Sequence, residues 1–434
     1  KMSAKAGGMA DVSASLTQAL YELGADIHVA LPHYRRMFHI DVSKLISDEL
    51  RVYMNHLHNS RIHLAEDRIF YYRDTVYSSY DSDSFLQALA FQREVINNII
   101  PVVKPDLIHC NDWMTGLIPA AARRMGIPCL FTVHNIHTHK RTLAEIEDRG
   151  IDAAPFWQNL FFERQPLNYE ESRGNNPVDF LASGIFASHF INTVSPTFLK
   201  EIVENHHSFV PSSVRNEIAG KFYAGCASGI LNSPDEECNP ETDEFLECRY
   251  DHSNHAAGKA VNKIAFQART GLHIDQNAPL FFWPHRLDPA QKGCTLLADA
   301  LYDIIHRHWD SNLQVAIVAN GQYQQVFKDI IAFHNFYDRV TVCDFDEQLS
   351  RLGFAAADFM LMPSRFEPCG LPQMTCQYYG AIPVVHDTGG LHDTVNMLTP
   401  DGASGNGIVF CNYDTNALRW AVDEAVRFYQ RPVE

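Results

Sequence analysis

Three things are scarce in this 434-residue chain: long apolar runs, paired cysteines and positive charge. No uninterrupted apolar stretch approaches the roughly 18–20 residues that cross a bilayer as a helix, so no helical span is expected. The ten cysteines are scattered without a C-x-x-C pair, and Cys129, Cys294 and Cys343 sit in apolar segments. That pattern predicts reduced, mostly structural thiols. With 35 Lys and Arg against 52 Asp and Glu, the formal charge is -17. Nucleic acid and anionic membranes both need a basic face, so neither is expected as the main partner. Any anion site must be a local gathering of cations on an acidic body. No G-x-S-x-G nucleophile turn appears either.

What is present reads as a globular enzyme, 46% hydrophobic and 20% charged. The length predicts two α/β domains of about 200 residues each. A helix is expected over 11–24, a strand at 27–31, and short strands at 51–53, 62–64 and 69–72. A helix over 85–100, a strand at 107–109, a helix over 115–125 and a strand at 129–133 follow, then a helix over 180–187 and a strand at 190–194. Gly, Asn, Pro and Asp gather from Gly225 to Pro240, which predicts the crossing between domains 1–225 and 226–434. The second half restarts the rhythm, with strands at 280–283, 315–319, 340–342, 359–362 and 382–385 and helices between them. Such alternation predicts parallel, doubly wound sheets.

The residues suited to chemistry gather at strand ends. The stretch 362–374, MPSRFEPCGLPQM, presents Glu367 beyond a carboxyl end, where open α/β sheets place ligands. Cys369, Gly370 and Leu371 lead into a helical pattern, and Thr388-Gly389-Gly390 forms a turn that lets main chain approach a ligand closely. A carboxylate beside a glycine-rich anion cradle suggests a sugar joined to a phosphate. The segment 285–293, HRLDPAQKG, supplies Arg286 and Lys292, cations suited to the charge that a departing diphosphate sheds. Lys5, Gly7 and Gly8 precede the first helix as a phosphate-loop pattern that equally fits an ordinary capping turn. His109-Cys110-Asn111-Asp112-Trp113 and Thr132-Val133-His134-Asn135-Ile136 end two strands of the first half.

Taken together these segments closely resemble the glycogen and starch synthases of glycosyltransferase family five. KAGGMADV at 5–12 resembles that family's K-x-G-G-L-A-D-V loop. HRLDPAQKG resembles S-R-L-x-x-Q-K-G, with His285 in place of a small residue and one extra residue before Lys292, which predicts a local bulge. HCNDW and TVHN resemble H-x-H-D-W and T-V-H-N, and Tyr80-Asp81 resembles an acceptor-side Y-x-D turn. TVSPT at 193–197 and GILN at 229–232 match further islands, while Cys238 and Pro372 stand where tryptophan and threonine are common. The islands keep the family's order over nearly the whole chain.

The resemblance implies a GT-B fold, two Rossmann-like doubly wound domains facing across a cleft whose closure excludes water. The acceptor-side domain is expected to have its first strand upstream of Lys1, with any targeting peptide. The implied activity is retaining transfer of glucose from ADP-glucose to the non-reducing-end 4-OH of an α-1,4-glucan. ADP rather than UDP rests on the resemblance alone. Glu367, His134, Arg286, Lys292 and Asp112 are implied to be catalytic. Donor contacts are implied for Lys5, Gly7, Gly8, Asn232, Arg286, Lys292, Glu367, Cys369, Gly370, Leu371, Thr388, Gly389 and Gly390. Tyr80, Asp81, Asp112 and Asn135 would face the acceptor. No metal or other cofactor is expected, since protein cations would take its place. Expected partners are ADP-glucose and an α-1,4-glucan such as maltooligosaccharide, glycogen or starch, in a bacterial cytoplasm or a plastid stroma.

Other chemistries are weaker. The two D-x-D triplets, Asp81-Ser82-Asp83 and Asp344-Phe345-Asp346, match the number chance supplies at this composition. His134, His137 and His139 lack a further ligand at usual zinc spacing. Thr375 stands where related GT-B enzymes carry a second glutamate. Two readings stay open: a catalytically weak glucan-binding or priming homologue, raised by His285, Ala290 and Pro372, and a GT-B glucosyltransferase with a small sugar acceptor.

Overall fold

The computed structural model describes residues 8–34, 59–71, 81–235 and 237–431. The chain forms two compact units, Lys1–Val194 with Leu199–Ile230, and Ser195–Phe198 with Leu231–Glu434.

In the first unit, helix α1 (Gly8–Glu22) precedes β1 (Val29–Pro32), which pairs in parallel with β2 (Ile62–Ala65). Helix α2 (Asp81–Glu94) continues through a π-helical segment, Val95–Ile99, into a last turn. The main sheet has four parallel strands in the order β3 (Ile108–Asn111), β4 (Cys129–Val133), β5 (Phe190–Thr193), β6 (Ala227–Gly229). Helices α3 (Ile118–Arg124) and α4 (Phe180–Ala187) follow the apolar patterning, and Gly184 of α4 sits so tightly on Phe131 that a Cβ would lie 2.3 Å from the ring; α5 (Pro196–Val203) and α6 (Ser212–Tyr223) come next in sequence.

Two expectations need correction here. The strand expected at 69–72 is instead a 3-10 turn over Arg68–Phe70 in its described part, because the Asp67 side chain accepts the Ile69 N–H at 2.7 Å and closes a local turn. The units divide after Ile230, inside the stretch 225–240 expected as the crossing but beyond the boundary drawn at 225, since Ala227–Gly229 adds to β5 as the sheet's last strand. The strand expected at 51–53 lies outside the described residues.

The second unit is built on six parallel strands: β7 (Leu280–Trp283), β8 (Gln314–Val318), β9 (Val340–Cys343), β10 (Phe359–Met362), β11 (Ile382–His386) and β12 (Ile408–Phe410). Their order is β9-β8-β7-β10-β11-β12. Chain progression reverses between β7 and β10, and such a reversal is where open α/β sheets bind ligands beyond their carboxyl ends. Alternation explains why both faces are covered. Phe281, Trp283, Val315, Ile317, Phe359 and Leu361 join one core with helices α8 (Cys294–Arg307) and α13 (Thr415–Tyr429). Leu280, Phe282, Ala316, Val318, Met360 and Met362 join the other with α7 (His255–Thr270) and α10 (Glu347–Ala356). Between them in sequence come α9 (Gln324–His334), α11 (Pro372–Tyr378) and α12 (Gly389–Thr394).

Candidate functional site

Three loops leave the carboxyl ends of β7, β10 and β11, and the second unit locks them together. After β7, the Asp288 carboxylate accepts the Ala290 N–H at 2.9 Å, and the Asp288 carbonyl accepts the Lys292 N–H at 2.9 Å. This turn takes up the extra residue, so the expected bulge leaves Lys292 inside the site. The Gln291 carbonyl accepts the Arg365 N–H at 2.8 Å and ties this loop to the one after β10. Gly293, at φ +77, could carry no side chain: a Cβ would lie 1.9 Å from the Pro363 carbonyl oxygen.

At the centre, Lys292 Nζ donates to Glu367 Oε2 at 2.6 Å, and Ser364 Oγ donates to the same oxygen at 3.1 Å. Both charged side chains are enclosed, 12% and 6% exposed. Arg286 is different, 64% exposed and only 3.4 Å and 3.7 Å from Gln291 and Asp288. The lysine is therefore anchored and the arginine reaches into solvent. His285 is buried against Trp283, ring centroids 4.4 Å apart, and its ring nitrogens have no hydrogen-bond partner among the described residues. Burial, with the Lys292 charge beside it, holds this imidazole well below its ordinary value, so it is neutral.

The third loop closes on the second through main chain. Gly390 N–H donates to the Glu367 carbonyl at 2.9 Å, and Cβ atoms at Gly389 and Gly390 would fall 2.0 Å from the carbonyls of Glu367 and Cys369. The glycines serve close packing of loops, and the Gly390 amide is used within the protein. Thr388 is buried beside them. Cys369 is buried too, its thiol pushed up to about 12 by that burial while the Asn232 main-chain N–H pulls it down. Gly370 and Leu371 lead into α11, whose Pro372 at the start needs no N–H partner. Sequence reading missed the support behind Glu367. His386 Nδ1 pairs with the Ser364 carbonyl at 2.8 Å, and Asp393 accepts from Ser195 Oγ at 2.5 Å and Thr197 Oγ1 at 2.6 Å. The TVSPT match was the one signal pointing there.

The first unit gathers its own candidates at the ends of β3 and β4. Asp112 has φ +55, rare for a residue with a side chain. Its Oδ1 accepts the N–H groups of His134 at 2.7 Å and Asn135 at 3.3 Å, which fixes the turn after β4. Burial pushes the Asp112 carboxyl up to about 7 against those two N–H groups. His134 Nε2 pairs with Asn111 Oδ1 at 3.0 Å, and burial, then the nearby His109, lower its imidazole to about 4. His134 is thus neutral at physiological pH.

Lys5, Gly7 and Tyr80 lie outside the described residues, and Gly8 and Asp81 are described only as the first residues of α1 and α2. Among the described residues no three His, Cys, Asp or Glu side chains gather as a metal site, and Asp346 of the second D-x-D caps α10 through the Leu349 N–H. No described helix is long and apolar enough to cross a membrane. A surface depression of about 350 Å³ beyond β12, lined by Cys411, Asn412, Asp414 and Trp420 among others, contains none of the candidate residues.

Residues 2–212 match the family model of the starch synthase catalytic domain, and residues 278–427 match that of the glycosyl transferases group 1. The chain is 31% identical to a glycogen synthase of Exiguobacterium sibiricum, covering 99% of this chain and 90% of that one. It is 29% identical to a glycogen synthase of Bacillus subtilis, covering 98% and 88%. Among solved structures it is similar to the catalytic domain of starch synthase IV from Arabidopsis thaliana bound to ADP and acarbose. That match has 25% identity and TM-score 0.76, and covers 99% and 90% of the two chains. A sucrose-phosphate synthase from Thermosynechococcus elongatus shares the fold, with 18% identity and TM-score 0.58 over 98% and 85%.

Proposed function

The chain belongs to the glycogen and starch synthases, glycosyltransferases of GT-B fold, and from that premise we propose that it moves glucose from ADP-glucose to the non-reducing-end 4-OH of an α-1,4-glucan with retention of configuration. The observation that carries this reading is the Lys292–Glu367 pair at the switch point of the second sheet. A cation and a carboxylate held there match the two ends of a nucleotide sugar, phosphate and hexose. The starch synthase IV structure, with ADP and acarbose bound, supports a nucleotide and a glucan as ligands.

In this mechanism Arg286 and Lys292 take up the charge that appears on the departing diphosphate, which stabilises the transition state more than the ground state. Glu367 lies by the sugar as positive charge grows on its ring. Within the first unit, Asp112 is a positioning residue that fixes the His134 main chain through the N–H groups of His134 and Asn135. Protein cations meet the diphosphate, so no divalent ion is required. The departures from the family pattern do not weaken the reading: Lys292 still reaches Glu367, and Pro372 suits its helical position.

The test is to incubate the protein with ADP-glucose and glycogen in the presence of a chelator and measure ADP released. Steady turnover is expected, and Glu367→Ala should lower it by about a hundredfold or more without unfolding the chain. Arg286→Ala should weaken ADP binding measured by calorimetry. Turnover that needs a divalent ion, or that survives Glu367→Ala, overturns the mechanism. Turnover with a small sugar but not with glycogen would replace the acceptor.

A further inference from the structure

Resting on that reading, we propose that Glu367 has a second role: it makes the donor site discriminate against its own product, ADP. In the structure the Lys292 ammonium is committed to the Glu367 carboxylate at 2.6 Å, with Ser364 Oγ on the same oxygen, and both charges are enclosed. An enclosed ion pair is screened little by solvent, so its members respond strongly to any new charge beside them. The cation of this site is therefore neutralised from within the protein.

The two nucleotides meet this pair differently. ADP-glucose carries its hexose on the terminal phosphate, and that neutral ring is what faces Glu367. ADP ends in a bare phosphate with about one more negative charge, on the oxygen that held the sugar. Bound in the same cradle, ADP must draw Lys292 from its partner and set a dianionic group beside the freed carboxylate. Like charges at such a distance oppose one another. The carboxylate thus penalises the product and spares the donor, which limits product inhibition without any moving part. Arg286, exposed and loosely held, bears no such competition and serves both nucleotides alike.

Calorimetry with ADP and with ADP-glucose, without acceptor, tests this on the whole chain. Glu367→Gln keeps the side chain's length and removes its charge. It is expected to bind ADP about tenfold more tightly, a change of about 1.4 kcal/mol, with no matching gain for ADP-glucose. Glu367→Ala should move ADP affinity the same way, which covers the case where glutamine disturbs the loop. In a Lys292→Gln background the Glu367→Gln change should have a smaller effect, because the cation that it frees is gone. ADP affinity unchanged or weakened in both Glu367 variants, while the wild type binds ADP, overturns the inference and leaves the donor site standing. No binding of either nucleotide to the wild type overturns the donor site, and the inference falls with it.

Discussion

Asp112 shows how burial can set a residue's chemistry. Its carboxyl is raised to about 7 when folded, whereas in the unfolded chain it titrates near 3.9. Between those values the folded state holds a proton that the unfolded chain has released, so stability falls as pH rises through that window. Below about 4 the contribution is fully present. Asp112→Asn keeps an oxygen for the His134 and Asn135 N–H groups and removes the titration. It should be more stable than wild type at pH 8 by on the order of 1–3 kcal/mol and show no such advantage at pH 4, measured by urea unfolding. Gly293 gives a steric counterpart. A methyl there would meet the Pro363 carbonyl at 1.9 Å in a backbone conformation that disfavours side chains. Gly293→Ala should destabilise the protein by roughly 2 kcal/mol or more and lower nucleotide affinity, read by thermal unfolding with and without ADP.

The elements differ in how plainly they could be read. β7, β10, β4 and α4 come out with the bounds their apolar runs predicted, because buried parallel strands and a helix buried at every position but Phe186 leave continuous hydrophobic signals. Ala227–Gly229 carries no such signal: a strand of Ala, Ser and Gly pairs by main chain alone. The helix expected over 115–125 begins at Ile118, and Pro119 in its first turn was the available cue. Within the site, sequence singled out Glu367, Lys292 and the two glycines. It could not reveal that Lys292 is anchored while Arg286 is exposed, since that follows from the Asp288 turn. Nor could it reveal Lys259, which is half-buried and donates to the carbonyls of Ala355 at 3.0 Å, Ala357 at 2.8 Å and Tyr379 at 2.9 Å. This side chain closes the ends of α10 and α11 that flank β10. Lys259→Met should strip this donor from the Ala355 and Ala357 carbonyls, while Tyr379 keeps the Tyr250 hydroxyl at 2.8 Å, and cost about 1–3 kcal/mol, visible as a lower unfolding midpoint in urea with the slope unchanged.

For the molecule as a whole, nucleotide binding should appear as stability. A ligand that binds only the folded state at a hundred times its dissociation constant adds about 2.7 kcal/mol. ADP should therefore raise the unfolding temperature, and equally so in a chelator. A shift that vanishes on chelation would place a metal in the cradle.

Residues 195–198 group with the second unit although β5 before them and Leu199 after them belong to the first. Their hydroxyls grip Asp393, in the helix that starts at Gly389. A gene cut between codons 230 and 231 would yield a C-terminal fragment without that clip. Such a fragment, expressed alone, should be less stable than the same half within the full chain, and adding back a short peptide spanning 193–199 should restore part of the difference. Heredity of this half is split across two places in the reading frame, so any recombination that shuffles it must carry both.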